Sequence, residues 1–425
     1  MVRPLLVLSL FFLVIESMGQ SAPKGNLVIV GGGLEADNKS IYEQLIAFAG
    51  GKEKATFAVI PSASGVPMQS YASFRNILIS YGLNPENIHL VNVAMIDDDS
   101  TKDVNESEWK DNGNDTRLAR IISKCSAVWF TGGDQMRTLK TLYRPDGSQT
   151  PVLRAVWDVY RSGGVIGGSS AGAAIMSEVM IGGGTGIAAL CHGIIRGYQG
   201  NDFPEDTGVL VMSGLGFFPC GLVDQHFNAR PRLGRLALAL MDAKKEFSLG
   251  FGVDENTALI YNSQKNMISV AGASGVTILN ASGARISYVQ DIPFIENLSL
   301  SYLEEGDSYD PATGNILPAT GRQSLKGKEH HHGHPPDQAG ILSGNQVSLR
   351  DLITAHLIDN KETDTVQNVS FVSNTSGFLL TLRKTPLSEG FYSVSPPQQD
   401  HFTVTRILMD ITPVTISLTP LNNKY

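Results

Sequence analysis

The stretch VIGGSSAGAAIM at 165–176 sets Ser170 between Gly168 and Gly172, where a short apolar run gives way to a helix-forming one. Strand, sharp turn and helix are the context of a G-x-S-x-G elbow, whose small neighbours permit a strained turn that pushes the hydroxyl outward. The helix that follows aims its first amides and the positive end of its dipole at the same spot. Ser170 is therefore the candidate nucleophile, and the chemistry is acyl transfer. Ser169 lacks glycine at both offsets and is the weaker choice. A serine hydroxyl attacks poorly at neutral pH, so a base must lie within hydrogen-bond reach.

DQHFNARPRLGRL at 224–236 offers one. His226 follows the apolar run FFPCGLVD, so it can sit on a turn at the same sheet rim as Ser170. Around it stand Asp224, Gln225 and three guanidinium groups, at Arg230, Arg232 and Arg235. Arginine's planar fork pairs with a carboxylate through two bonds, which suits a grip on an anionic ligand beside the base. The bland alternative is a solvated helix face paired with surface acids, but spacings of two and three do not form one helical stripe.

Cations number 33 against 41 acids, a net charge of −8. That balance argues against a nucleic-acid backbone binder and makes a local basic cluster informative. Three cysteines, Cys125, Cys191 and Cys220, allow at most one bridge. Stability must come from a packed core.

The elements that would position Ser170 and His226 repeat one rhythm from Asn26 onward. NLVIV runs into GGG, ATFAVI into PSAS, SAVWF into TGGD and GGVIG into GSSAG. Short runs without alternation suit strands buried on both faces, and intervening stretches such as VLRAVWDVYRSG have helical spacing. The predicted fold is α/β, a mainly parallel sheet flanked by helices, with ligands beyond the strands' carboxyl ends. After about Gly250, GFGVDENTALIY, NMISVAGASGVTIL and ARISYVQDI read as strands on tight turns, an antiparallel extension of the sheet edge. We expect a signal peptide over 1–20, the α/β domain over 24–292, an irregular linker with a His-rich tract over 293–347 and a β-rich appendage over 348–425. The signal rests on one cation, a run from Leu5 to Ile15 too short to span a bilayer, and small residues after it. Sequons at Asn38, Asn105, Asn114, Asn280, Asn297, Asn368 and Asn374 add to the expectation of a secreted, extracellular glycoprotein.

In order, TGGDQ, GGSSAGAA, DQHFNARPRLGRL and GVDENTAL make residues 24–290 resemble cyanophycinase and its relatives in the dipeptidase E group of serine peptidases. The resemblance implies a flavodoxin-like or class I glutamine-amidotransferase-like fold. It implies Ser170 as nucleophile, His226 as base, and the amides of Gly133 and Ala171 as oxyanion donors. Gln135, Asp224, Gln225, Arg230, Arg232, Arg235 and Asn256 would line the substrate pocket. The third triad member falls between Ser and His in an acidic-aromatic-proline context, which makes Asp202 of NDFPED the match, with Glu205 and Asp206 as rivals. The inserted-looking AALCHGIIRGYQG loosens that placement. An acidic or isoaspartyl peptide is the implied substrate, of β-Asp-Arg type, with no cofactor.

Other motifs read less well. Cys191 and His192 lack an elbow, so a Cys-His pair is rejected. GGGLEA at 31–36 fits a weak dinucleotide fingerprint, but no ribose-binding acid follows, so a turn near the active site is the better reading. EHHHGHPP at 329–336 has no acid or cysteine at ligand spacing, so no metal is expected. The rival function is a silent extracellular matrix or binding protein that keeps the fold and an acidic-peptide pocket. Oligomeric state stays open, a homodimer included.

Overall fold

The computed structural model describes residues 22–200, 202–333, 347–395 and 398–417. The expected signal peptide, 1–20, lies outside the described residues. Five strands form the parallel core of a nine-stranded sheet: β1 (Asn26–Val30), β2 (Phe57–Ile60), β3 (Ile88–Leu90), β4 (Ala127–Phe130) and β5 (Val165–Ser169), in the order β1-β5-β4-β2-β3. Each apolar run of the sequence became one of these strands because both of its faces are covered. Leu27, Ile29, Val128, Phe130 and Ile166 pack on one side; Val28, Val30, Trp129 and Val165 pack on the other.

Six helices accompany them: α1 (Lys39–Phe48), α2 (Pro67–Ser80), α3 (Thr116–Ile122), α4 (Gln135–Leu142), α5 (Pro151–Arg161) and α6 (Ala171–Ala174). Starts are marked by side-chain caps: Asn38 on α1, Asp115 on α3, Asp134 on α4, and Thr150 followed by Pro151 on α5. α1 and α2 cover the Val28 face through Ile41, Leu45, Phe74 and Leu78, while α5 covers the Leu27 face through Leu153, Val156 and Tyr160. The edge beyond β1 is extended antiparallel by Thr257–Asn262 and Met267–Gly272.

A second sheet starts with Leu222–Asp224, parallel to Leu249–Val253, and continues antiparallel through Gly275–Asn280, Ile292–Glu304, Gln399–Thr415 and Glu389–Ser395. The β-rich ending is thus present, but the linker boundary needs correcting. Ile292–Glu304 is a 13-residue strand, and Ser308–Asp310 and Asn315–Leu317 pair back onto the first sheet. Pro293 and Asn297 disguised the long strand in sequence. Asn297 sits at φ 56° in an irregular register between Ile295 and Leu298, a bulge that breaks the period of two. Further along, Arg322 and Asp307 form a buried pair at 2.8 Å that pins the supposed linker to Thr403. His334, Pro335 and Pro336 of the His-rich tract lie outside the described residues.

Candidate active site

Ser170 occupies the turn between β5 and α6 with φ 57° and ψ −113°, a conformation costly for a residue with a side chain. Its amide donates to the Val30 carbonyl at 3.0 Å, so the end of β1 holds the turn in place. The flanking glycines are demanded by contact: a Cβ on Gly168 would come within 2.5 Å of the Gly172 carbonyl oxygen, and one on Gly172 within 2.4 Å of the Phe130 oxygen. α6 is a single turn of four residues, shorter than AAIM suggested, which leaves the Ala171 amide at its start with little macrodipole behind it.

His226 reaches Ser170 from the second sheet. It follows Leu222–Asp224 at φ 47°, and its amide donates to the Gly31 carbonyl at 2.6 Å. The imidazole Nε2 lies 2.8 Å from Ser170 Oγ. GGG at 31–33 is the cradle of this ring: a Cβ on Gly32 would come within 2.2 Å of the imidazole. The dinucleotide-like motif is therefore a turn fitted to His226, in agreement with the sequence reading.

The carboxylate against the other ring nitrogen is Glu255, whose Oε1 is 2.5 Å from His226 Nδ1. It stands in the turn between Leu249–Val253 of the second sheet and Thr257–Asn262 of the first. Asp202 does not occupy that place. It is exposed, its carbonyl accepts from the Tyr198 hydroxyl, and its charge is felt at Asp134. Glu205 accepts from the Gly184 amide at 2.9 Å, and Asp206 is exposed on a short 3₁₀ turn. GVDENTAL points to Asn256 through the family resemblance, and nothing in its local sequence marks Glu255 as the partner of His226.

Burial is the main influence on His226 and holds its imidazole below the ordinary value of 6.5; Arg230 and Arg232 push the same way and Glu255 opposes them. The ring is thus neutral at physiological pH, with Nε2 available to take a proton.

The three arginines have different fates. Arg235 is 2% exposed and its fork is spent on Asp224, itself 1% exposed, through Nε–Oδ2 at 2.8 Å and Nη2–Oδ1 at 2.6 Å. Its remaining Nη1 donates to the Gly184 carbonyl. Losing one partner of such a pair typically costs about 3–5 kcal/mol, which marks both residues as structural. Arg232 is buried, donates to the Gln225 carbonyl at 2.6 Å and lies 3.7 Å from Asp224; burial draws its guanidinium down to about 10, still cationic at neutral pH. Arg230 alone is exposed, and it forms no ion pair with any described residue.

Of the other expected pocket residues, Gln135 and Asn256 also have internal work. The Gln135 amide donates to the carbonyls of Ile181 and Gly182 at 3.0 and 2.8 Å. Asn256, at φ 52°, locks the Gly31–Gly33 turn by exchanging bonds with Glu35 and accepting from the Asn38 amide. Gln225 is 4% exposed, and its Oε1 has no partner among the described residues. In the TGGD turn a Cβ on Gly132 would lie 3.3 Å from that of Ser170, while Gly133 takes φ 138° against the Ala63 carbonyl. Cys125, Cys191 and Cys220 are all free, so the one bridge the sequence allowed is not formed. Among the described residues no group of three His, Cys, Asp or Glu could hold a metal ion, and no helix is long and apolar enough to cross a membrane.

Residues 27–268 match Peptidase family S51. Cyanophycinase from Geminocystis herdmanii is 30% identical over 301 residues, 68% of this chain and 95% of that protein. Cyanophycinases from Synechococcus elongatus and Trichormus variabilis are each 30% identical, over 70% and 73% of this chain and 82% and 93% of their own. A crystal structure of a peptidase from an acI-B1 Actinobacterium aligns with 68% of this chain and 98% of its own, at 19% identity and a TM-score of 0.45.

Proposed function

Because the chain belongs to peptidase family S51, a family of serine-type peptidases, we propose that it hydrolyses aspartyl or isoaspartyl peptide bonds through Ser170, His226 and Glu255. The observation that carries this reading is the continuous line from Ser170 Oγ through the imidazole to Glu255. Ser170 Oγ attacks the scissile carbonyl carbon as His226 Nε2 takes its proton; Glu255 holds the Nδ1–H and stabilises the imidazolium. The amides of Gly133 and Ala171 receive the oxyanion. His226 then protonates the leaving amine, the C–N bond breaks, and water repeats the sequence on the acyl-enzyme.

Substrate class is read from charge. Arg230 is the exposed cation beside His226, so it receives a substrate carboxylate, with Arg232 adding positive potential from behind. The grip has one free fork where the sequence suggested three. Relatives named cyanophycinase favour an aspartate-rich substrate. A secretory route is part of the proposal, resting on residues 1–20 and on exposed sequons such as Asn105, Asn114 and Asn374.

The test is a panel of α- and β-aspartyl peptides, with and without arginine, alongside labelling by a serine-reactive phosphonate. Cleavage beside aspartate and labelling that requires Ser170 are expected; an inert, unlabelled protein would favour the matrix-binding alternative.

The same electrostatics set a pH dependence. Activity needs neutral His226, whose pKa lies below 6.5. The acidic limb of kcat/KM should therefore fall at lower pH than an ordinary histidine would give. Arg230→Gln removes a cation that lowers this pKa, so the limb should move to higher pH. A limb that stays put while KM rises would leave Arg230 as a substrate contact with no influence on the base.

A further inference from the structure

On the α1 and α2 face of the first sheet, an open cleft of about 420 Å³ borders the nucleophile. Alternation along β4 and β5 sends Trp129, Thr131 and Ser169 to this face while Val128, Phe130 and Ile166 turn to the other. Phe74 of α2 stacks on Trp129 with centroids 4.4 Å apart and planes 8° apart, giving an apolar floor. Gln69 and Ser73, both exposed on α2, form the rim. Gly132 joins the cleft to the reacting serine, since a Cβ there would lie 3.8 Å from Ser170 Oγ.

Two properties of this cleft stand against those of the Arg230 side. No charged side chain lines it among the described residues. Thr131 is 7% exposed, and its Oγ1 has no hydrogen-bond partner among the described residues. No protein bond holds that hydroxyl, so turning it toward a ligand costs none, and an unmet buried hydroxyl is itself unfavourable. Trp129 is 3% exposed beneath Phe74 and offers no open ring face to a cation. A guanidinium or carboxylate entering here would lose water without finding a counter-ion.

We propose that this cleft is the subsite for the substrate residue across the scissile bond from the acidic one. It selects an uncharged side chain, with Thr131 as its hydrogen-bonding partner. The inference rests on the peptidase reading above and departs from it in one respect: arginine is disfavoured at this position.

Full-length protein carrying Ser170→Ala would be titrated by calorimetry with peptides bearing aspartate or isoaspartate on one side and Gln, Leu or Arg on the other. Gln and Leu peptides should bind about tenfold more tightly than the Arg peptide. Adding Ser73→Asp, at an exposed helix position, should narrow that gap by about fivefold. Adding Thr131→Val should weaken the Gln peptide several-fold while leaving the Leu peptide unchanged. Preference for Arg in the Ser170→Ala parent, no binding at all, or equal effects of both changes on every peptide would overturn the subsite. Cleavage by the wild type is scored separately: selective binding without any turnover upholds the subsite and refutes the peptidase reading, and turnover without selectivity does the reverse.

Discussion

Replacing Ser170 with alanine should lower kcat on acidic peptides by on the order of 10⁴–10⁶-fold, while peptide affinity and the thermal midpoint are preserved. The hydroxyl oxygen is the atom that forms the acyl bond, and its removal leaves His226 without a proton to take. Alanine keeps the Cβ that the elbow already accommodates at φ 57°, so the backbone has no reason to rearrange. Residual turnover would come from the oxyanion amides and the bound geometry. Kinetics on the peptide panel together with thermal unfolding check this. Loss of affinity along with turnover would mean that the variant had misfolded, and retained turnover would remove Ser170 from the mechanism.

Glu255→Gln should lower kcat by about 10²–10⁴-fold with little change in KM, and Asp202→Asn should leave both within twofold of wild type. The glutamine amide can donate to Nδ1, which moves the ring proton to Nε2 and turns the base into a donor facing Ser170. Glu255 has 42% of its side chain exposed, so the change leaves no buried charge stranded and the fold should hold. Asp202 is exposed, with no bond to His226. Steady-state kinetics on the two variants decide the matter; a kinetic collapse in Asp202→Asn with a normal Glu255→Gln would reverse the assignment.

These two predictions trace what the chain's order of residues makes legible. The proposed nucleophile was readable because an elbow is local: Gly168, Ser170 and Gly172 must be adjacent for the turn to close, so the constraint is written within five positions. His226 was readable for a similar reason, since an apolar strand and a polar turn bracket it. Glu255 was not, because its role is set where strands from two sheets meet, 29 residues beyond the base. No spacing rule selects it over Asp202, whose local context was the more suggestive. The arginines fail in another way. Charge and spacing cannot distinguish a ligand-binding fork from one saturated by a carboxylate eleven residues upstream, and burial of Asp224 made Arg235 structural. The short helix Leu349–Ile353 was announced by a capping box at Ser348 and Asp351, a signal passed over among the loop-like residues around it. Four of the five parallel strands were legible because burial on both faces leaves an unbroken apolar run, whereas the edge strand Ile88–Leu90 is only part-buried and has no such run.

Backbone pairing links Leu222–Asp224 through Leu249–Val253, Gly275–Asn280 and Ile292–Glu304 to Gln399–Thr415 in one sheet. The segment that delivers the imidazole is thus one end of a ladder whose far rungs, Ile292–Glu304 and Gln399–Thr415, lie past the stretch shared with the family at 268. A protease nick near the carboxyl end would loosen the ladder at a distance from the hydroxyl yet on the same hydrogen-bonded lattice as the base. Gln399–Thr415 and Leu222–Asp224, the strand that precedes His226, belong to one sheet, so the tail is part of the frame that carries the proposed base.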